Sequence, residues 1–163
     1  MGNNVKSEGQ VKDTVLVTGA TGFVGHFLCG RLLAQNSRVR GTLLSSENPT
    51  LLVGGVEPVI VEPLGADTSW GHALEGVDTV IHLAARVHIM DDSSADPLAE
   101  FRRVNVDGTV QLAREAAKAG VKRFVFISSI KVNGEESATP YTPDSPPNPS
   151  DPYGISKWEA EQA

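Results

Sequence analysis

Near the end of the chain, in "DPYGISKWEAEQA", Tyr153 and Lys157 stand four residues apart. On a helix that spacing puts both side chains on one face. A phenol in water titrates near pH 10, too high for a general base at neutrality. A neighbouring ammonium favours the phenolate and makes proton transfer useful near neutral pH. A Y-x-x-x-K pair is common by chance, so its weight depends on what accompanies it. In "ISSIKVNG" (127–134) Ser129 ends an apolar run, 24 residues before Tyr153. There it can donate a hydrogen bond to a substrate oxygen, although serines at such places also serve turns.

A third pattern, "TGATGFVG" (18–25), holds Gly19, Gly22 and Gly25 between an apolar run and a segment of helical periodicity. Gly19 permits a tight turn, Gly22 lets backbone N–H groups approach a pyrophosphate, and Gly25 lets a helix pack close to a sheet. The N-terminus of the helix then offers donors and a positive dipole end to phosphates. The spacing is G-x-x-G-x-x-G rather than the commoner G-x-G-x-x-G. The residue reading an adenosine ribose belongs at the end of the following strand, acidic for a free 2′-hydroxyl and basic for a 2′-phosphate. In "VRGTLLSSE" that place holds Leu43 and Leu44, then Ser45 and Ser46, so NAD and NADP both stay open. Arg40 lies too early in the strand and reads as a solvated strand residue. In "HLAA" (82–85) small residues at a strand end leave room for a cofactor. His82 reads as a core or supporting histidine, and His26, His72 and His88 as structural or exposed.

The elements needed to hold these groups are legible as alternating runs. Apolar strand-like segments cover 14–20, 38–44, 56–62, 77–85 and 121–129, with helical patterns at 22–36, 70–76, 97–120 and from Pro152 onward. A proline-dense loop spans 139–152. Near-continuous apolar strands alternating with helices imply a parallel sheet buried on both faces, an α/β doubly wound, Rossmann-like domain over 13–163. Residues 1–12 are polar and read as a disordered tail. The 163 residues are 40% hydrophobic and 21% charged, with a net charge of −6. That is ordinary globular composition, without the basic surface expected for nucleic acid or anionic membranes. No apolar run reaches the roughly 20 residues of a membrane helix, and there is no signal-peptide segment, so the cytoplasm is the expected location. One cysteine, Cys29, cannot form an internal disulfide, and no Cys/His cluster suggests a metal.

With these motifs in order, the chain resembles an extended short-chain dehydrogenase/reductase. More narrowly, it resembles the NAD-dependent nucleotide-sugar epimerase/dehydratase family, of the UDP-glucose 4-epimerase kind, from Val15 to the last residue. The resemblance implies a cofactor site of Gly19, Thr21, Gly22, Phe23, Val24, Gly25, Leu64, Leu83, Ala84, Ala85, Asn105, Tyr153 and Lys157, and a catalytic set of Ser129, Tyr153 and Lys157. In such enzymes the tyrosine exchanges the proton of a sugar hydroxyl, the serine assists, and the lysine also holds the nicotinamide ribose. Three departures stand out. Pro63 takes the place of an adenine-reading Asp, leaving the Leu64 backbone. Asn133 replaces a tyrosine. Ile130 and Lys131 stand where 4,6-dehydratases carry Asp-Glu, which speaks against a dehydratase.

Three readings follow from this resemblance. The first is a UDP-sugar 4-epimerase-like enzyme acting with NAD or NADP. The second is a reductase of a UDP-4-keto-6-deoxy sugar, suggested by "SSIKVNGE" with "ARVHIMDD" and belonging to surface-polysaccharide synthesis. The third, of another class, is a non-catalytic dinucleotide sensor or interaction module. The resemblance further implies a substrate lobe beyond residue 163, so that these residues are the amino-terminal portion and lack the part gripping the UDP-sugar. It implies a homodimer built on helices 97–119 and the one from Pro152, with no nucleic-acid or membrane partner. The last helix (152–163), short and without a neighbouring sixth strand, is expected to fray or to be ordered only by contact with another chain.

Overall fold

The computed structural model describes residues 13–87 and 96–163; the tail expected at 1–12, His88 and most of "ARVHIMDD" lie outside them. Five parallel strands form one sheet in the order β3-β2-β1-β4-β5. They are β1 (Thr14–Thr18), β2 (Arg38–Leu44), β3 (Glu57–Val61), β4 (Thr79–His82) and β5 (Arg123–Phe126). Strand order reverses at β1, whose neighbours are β2 and β4. The doubly wound pattern read from the sequence is the fold observed.

Helices cover both faces because β1 buries side chains both ways. Leu16 joins Val59, Val61, Trp70, Leu74, Val80, Leu112 and Ala116 on one face. Val15 and Val17 join Ala20, Cys29, Val39 and Val56 on the other. The first cluster receives α2 (Gly71–Leu74) and α4 (Gly108–Lys118); the second receives α1 (Phe23–Ala34) through Cys29. Burying one such leucine contributes about 1.5–3 kcal/mol.

The long helix expected over 97–120 is not uniform. It runs as α3 (Pro97–Arg102), a π turn (Arg103–Asp107) and α4. A π turn shifts side chains around the axis and frees a backbone carbonyl. Gly108 opens α4 because a Cβ there would stand 3.0 Å from the Leu64 Cβ, so the loop after β3 lies directly on the helix. The last helix, α5 (Pro152–Gln162), corrects the expectation of fraying. Asp151 caps it by accepting from the Gly154 N–H, and it buries Gly154, Ser156, Lys157 and Ala160. An Arg102–Glu159 ion pair at 2.6 Å ties it to α3. Tertiary contact supplies what an isolated three-turn helix lacks.

Two glycines of α1 should respond oppositely to alanine. A Cβ on Gly25 would sit 2.1 Å from the Gly19 carbonyl oxygen, whereas one on Gly30 would meet nothing within 4 Å. Gly30→Ala should stabilise by about 0.5–1 kcal/mol. Gly25→Ala should destabilise by about 2 kcal/mol or more. Urea midpoints of the two variants check the signs; a stable Gly25→Ala would show that α1 is not held against the turn.

Candidate functional site

The cleft opens where strand order reverses, at the carboxyl ends of the strands, as expected for an open α/β sheet. Its volume is about 740 Å³. Residues 19 and 21–25 of the glycine loop line one side, the ends of β2 and β3 another, and Leu83, Ala84 and Ala85 beyond β4 a third. Leu64 lines it as well, beside Pro63. Gly19 adopts φ +67°, and a Cβ on it would stand 2.9 Å from the Ala84 nitrogen. The loop and the end of β4 therefore touch backbone to backbone. Gly22 stands at the N-cap of α1 without a side-chain cap, and no acidic residue occupies the first turn. The opening N–H groups of a three-turn helix thus face the cleft uncapped, a cradle suited to a pyrophosphate.

Behind the cleft, hydrogen bonds of forced direction tie the layers together. The Thr109 hydroxyl donates to the Asn105 carbonyl at 2.6 Å. Its only hydrogen being spent, it accepts from His82 Nε2–H at 3.0 Å. His82 Nδ1 is then an acceptor and receives the Thr18 hydroxyl at 2.6 Å. That hydroxyl in turn accepts the Leu83 and Ala84 N–H groups, each at 3.1 Å. The network assigns His82 to the neutral Nε2–H tautomer. Burial, and after it the positive charge of Lys157, push the imidazole down to about 3.

Asn105 sits in the π turn, buried, and is not among the cleft-lining residues. Its amide nitrogen donates to the Arg86 carbonyl (3.0 Å) and to Ser156 Oγ (2.9 Å), while its Oδ1 accepts the Arg86 N–H (2.7 Å). Both amide hydrogens are thus committed to the loop after β4 and to α5. Ser156 passes the link on by donating to the Tyr153 carbonyl.

The expected catalytic residues come from two neighbouring pieces. Ser129 caps a 3₁₀ turn (Ile130–Val132), its Oγ accepting the Lys131 N–H at 3.3 Å. A Cβ on Gly154 would stand 2.8 Å from the Lys131 carbonyl, so this turn lies directly on the first turn of α5, beside Tyr153. The Lys131 ammonium binds the carboxylates of Asp151 and Glu135. The Tyr153 ring meets Phe101 edge-on at 6.3 Å. Lys157, one turn further, is 2% exposed. Its ammonium lies 3.9 Å from the Phe126 ring centroid and has no hydrogen-bond acceptor among the described residues. Burial pushes it down to about 8, against an opposing pull from Glu161. An ammonium without an acceptor among the described residues, on a buried stem beside the sheet end, is a place for ligand hydroxyls.

The linear reading missed Glu47. It passed over the residues after Leu44 for lack of a charge at the strand end, but a turn returns Glu47 there. The Glu47 N–H donates to the Leu44 carbonyl (2.9 Å) and the Leu44 N–H to Glu47 Oε2 (2.7 Å). Glu47 thereby lines the cleft. Ser-Ser after an apolar strand is a turn signal, and it could have pointed to the residue three places on. Arg40 is not simply solvated: it binds Glu57 and the Ala73 and Glu75 carbonyls. Asn133 donates to the Ser145 carbonyl, holding the proline-dense loop. Among the described residues no group of three or more His, Cys, Asp or Glu could hold a metal ion, and no helix is long and apolar enough to cross a membrane.

The profile of the NAD dependent epimerase/dehydratase family matches residues 15–163. A UDP-glucose 4-epimerase of Vibrio cholerae is 41% identical over 156 residues, which cover 91% of this chain and 45% of that protein. Among solved structures, a short-chain dehydrogenase/reductase superfamily protein of Agrobacterium tumefaciens with bound NAD superposes with a TM-score of 0.73 at 35% identity, covering 91% of this chain and 43% of that one. A UDP-glucose 4-epimerase of Thermotoga maritima with UDP-glucose gives 0.73 at 29% identity, covering 91% and 49%. The chain spans about half the length of the curated relatives it matches.

The depressed imidazole carries a pH dependence of known sign. His82 falls from an ordinary 6.5 to about 3 on folding. Between those values the unfolded chain binds a proton that the native state refuses. Stability contributed by the neutral imidazole is therefore present above about pH 6.5 and lost as pH falls, by about 1.4 kcal/mol per pH unit for this group. Nitrogen-detected NMR of the ring should show the Nε2–H tautomer unchanged from about pH 8 to about pH 4. Titration of His82 near its ordinary value would refute the network.

Proposed function

The chain belongs to the NAD dependent epimerase/dehydratase family, and on that premise we propose that it supplies the dinucleotide site and the Ser-Tyr-Lys set of a UDP-sugar 4-epimerase-like enzyme. The observation carrying this reading is Lys157: a buried lysine whose ammonium has no acceptor among the described residues, one helical turn from Tyr153 and on the same helix. The pyrophosphate of NAD would lie on the uncapped start of α1, with its adenosine half toward β2 and β3 and Leu64. Its nicotinamide half would lie beyond Ala84, where Lys157 would hold the ribose. When bound, the cofactor supplies reversible acceptance of hydride from the sugar carbon.

The protein's own part is proton transfer and positioning. Tyr153 takes the proton of the sugar hydroxyl at its phenolic oxygen and returns it when the carbonyl is reduced. Lys157 places positive charge on the helix face that Tyr153 shares. Ser129 orients the sugar oxygen. Lys131, standing where a dehydratase carries an acid, engages Asp151 and Glu135 and supplies no acid for an elimination. The family relationship and the relative from Vibrio cholerae favour this reading over a sensor. The whole protein is proposed to be a homodimer through 97–118 and α5, where Val106, Val110 and Ala113 stay half-buried although Phe101, Leu112 and Ala116 already fill the inner face.

In the whole protein, Tyr153→Phe should lower kcat about 10²–10⁴-fold with NAD affinity nearly unchanged, and Lys157→Met should reduce both. Steady-state kinetics on a UDP-sugar with calorimetry of NAD tests this. A Tyr153→Phe enzyme within about threefold of wild type would overturn it.

A further inference from the structure

The two groups proposed to work on the sugar oxygen reach the site by separate routes. Ser129 follows β5, Tyr153 opens α5, and the proline-dense loop runs between them. Chain connection alone does not fix the offset between the two. One residue holds both sides. The Lys131 N–H donates to Ser129 Oγ at 3.3 Å. The Lys131 carbonyl lies against Gly154, where a Cβ would stand 2.8 Å from it. The Lys131 ammonium donates to Asp151 Oδ2. The other oxygen of that carboxylate, Oδ1, accepts the Gly154 N–H at 2.5 Å and caps the helix. A single ion pair therefore joins the residue that holds Ser129 to the residue that starts the helix of Tyr153.

Neither Lys131 nor Asp151 lines the cleft. Asp151, and after it Glu135, hold the Lys131 ammonium above the ordinary lysine range, so it stays charged at neutral pH. The two side chains are 31% and 24% exposed, and an ion pair so placed contributes little to stability. Other ties already seat the loop on the turn: the Asn148 N–H donates to the Val132 carbonyl at 2.9 Å, and Asn133 to the Ser145 carbonyl. What the pair adds is a fixed offset between the turn of Ser129 and the first turn of α5.

We propose that Lys131 and Asp151 form a positioning clamp that sets Ser129 against Tyr153 for proton transfer, with neither residue touching substrate or cofactor. This rests on the Ser-Tyr-Lys reading of the site. A misplacement of about 1 Å can slow an enzyme about 10²-fold, so a pair that matters little to folding can matter to rate.

Steady-state kinetics, NAD calorimetry and thermal unfolding of the whole protein test the clamp. Lys131→Met should lower kcat by about 10- to 100-fold. KM and NAD affinity should stay nearly unchanged, and the melting temperature should move by less than about 3 °C. Lys131→Arg, whose guanidinium still pairs with a carboxylate, should return kcat to within about threefold of wild type. Asp151→Asn keeps an oxygen for the Gly154 N–H and a good helix cap but loses the charge, and should fall as Lys131→Met does. The double variant should be no slower than either single one, because each breaks the same tie. Hydrogen exchange without substrate or cofactor needs no turnover: residues 151–155 should exchange faster in Lys131→Met and not in Lys131→Arg. A Lys131→Met enzyme with wild-type kcat or unchanged exchange, a loss that Lys131→Arg fails to restore, a loss carried by KM, NAD affinity or melting temperature, or additive losses in the double variant would overturn the clamp and leave the Ser-Tyr-Lys reading intact. A wild type without turnover of a UDP-sugar, or a fully active Tyr153→Phe enzyme, would instead remove that reading, and the clamp with it.

Discussion

The imidazole of His82 is the joint on which the site depends. One ring nitrogen receives the hydroxyl of Thr18 at the end of β1, and the other donates to Thr109 on α4. Thr18 uses its remaining capacity on the two N–H groups just past β4, beside the close approach to Gly19. Thr109 uses its hydrogen on the carbonyl of Asn105. Removing the ring would leave the buried Thr18 hydroxyl without an acceptor for its hydrogen, at about 1–3 kcal/mol, while Thr109 would keep its bond to the Asn105 carbonyl. Protonating it would destroy the acceptor that Thr18 needs and would set a second positive charge near Lys157. The neutral ring is therefore required by hydrogen bonding and electrostatics alike.

Lys157 shows the same balance from the other side. Its displacement from 10.5 to about 8 corresponds to roughly 3 kcal/mol disfavouring the charged form. The face of Phe126 returns about 2 kcal/mol to a desolvated cation. The ammonium remains the main form at neutral pH, yet is under-satisfied. A protein that spends stability in this way keeps a group ready for ligand oxygens, and perturbed groups cluster at functional sites for that reason.

Close backbone approach is the second device. Gly25 against Gly19, Gly108 against the loop after β3, and Gly154 against Lys131 each remove a Cβ where two elements must touch. The first sets the cradle at α1, the second brings Leu64 to the cleft, and the third seats the turn of Ser129 on the helix of Tyr153. The π turn adds a register shift between α3 and α4 and directs Asn105 to bind Arg86 and Ser156 together.

The residues alone determined the parallel α/β architecture, the strand at 38–44, the glycine loop and the helix start at Pro152, because apolar periodicity and punctuation by glycine and proline are local signals. They also marked Ser129, Tyr153 and Lys157 by type and spacing. Only the tertiary structure decided that Asn105 is a buried tie rather than part of the cleft lining, that α5 is held in place, and that an acid closes the end of β2. Each of these rests on contacts between distant stretches. Asn105 and Ser156 are 51 residues apart, and Thr18 and His82 are 64 apart. Glu47 returns through a local turn onto Leu44, and its carboxylate is fixed at the cleft by Thr21, 26 residues earlier. No pattern along the chain encodes a hydrogen bond whose partner is chosen by packing.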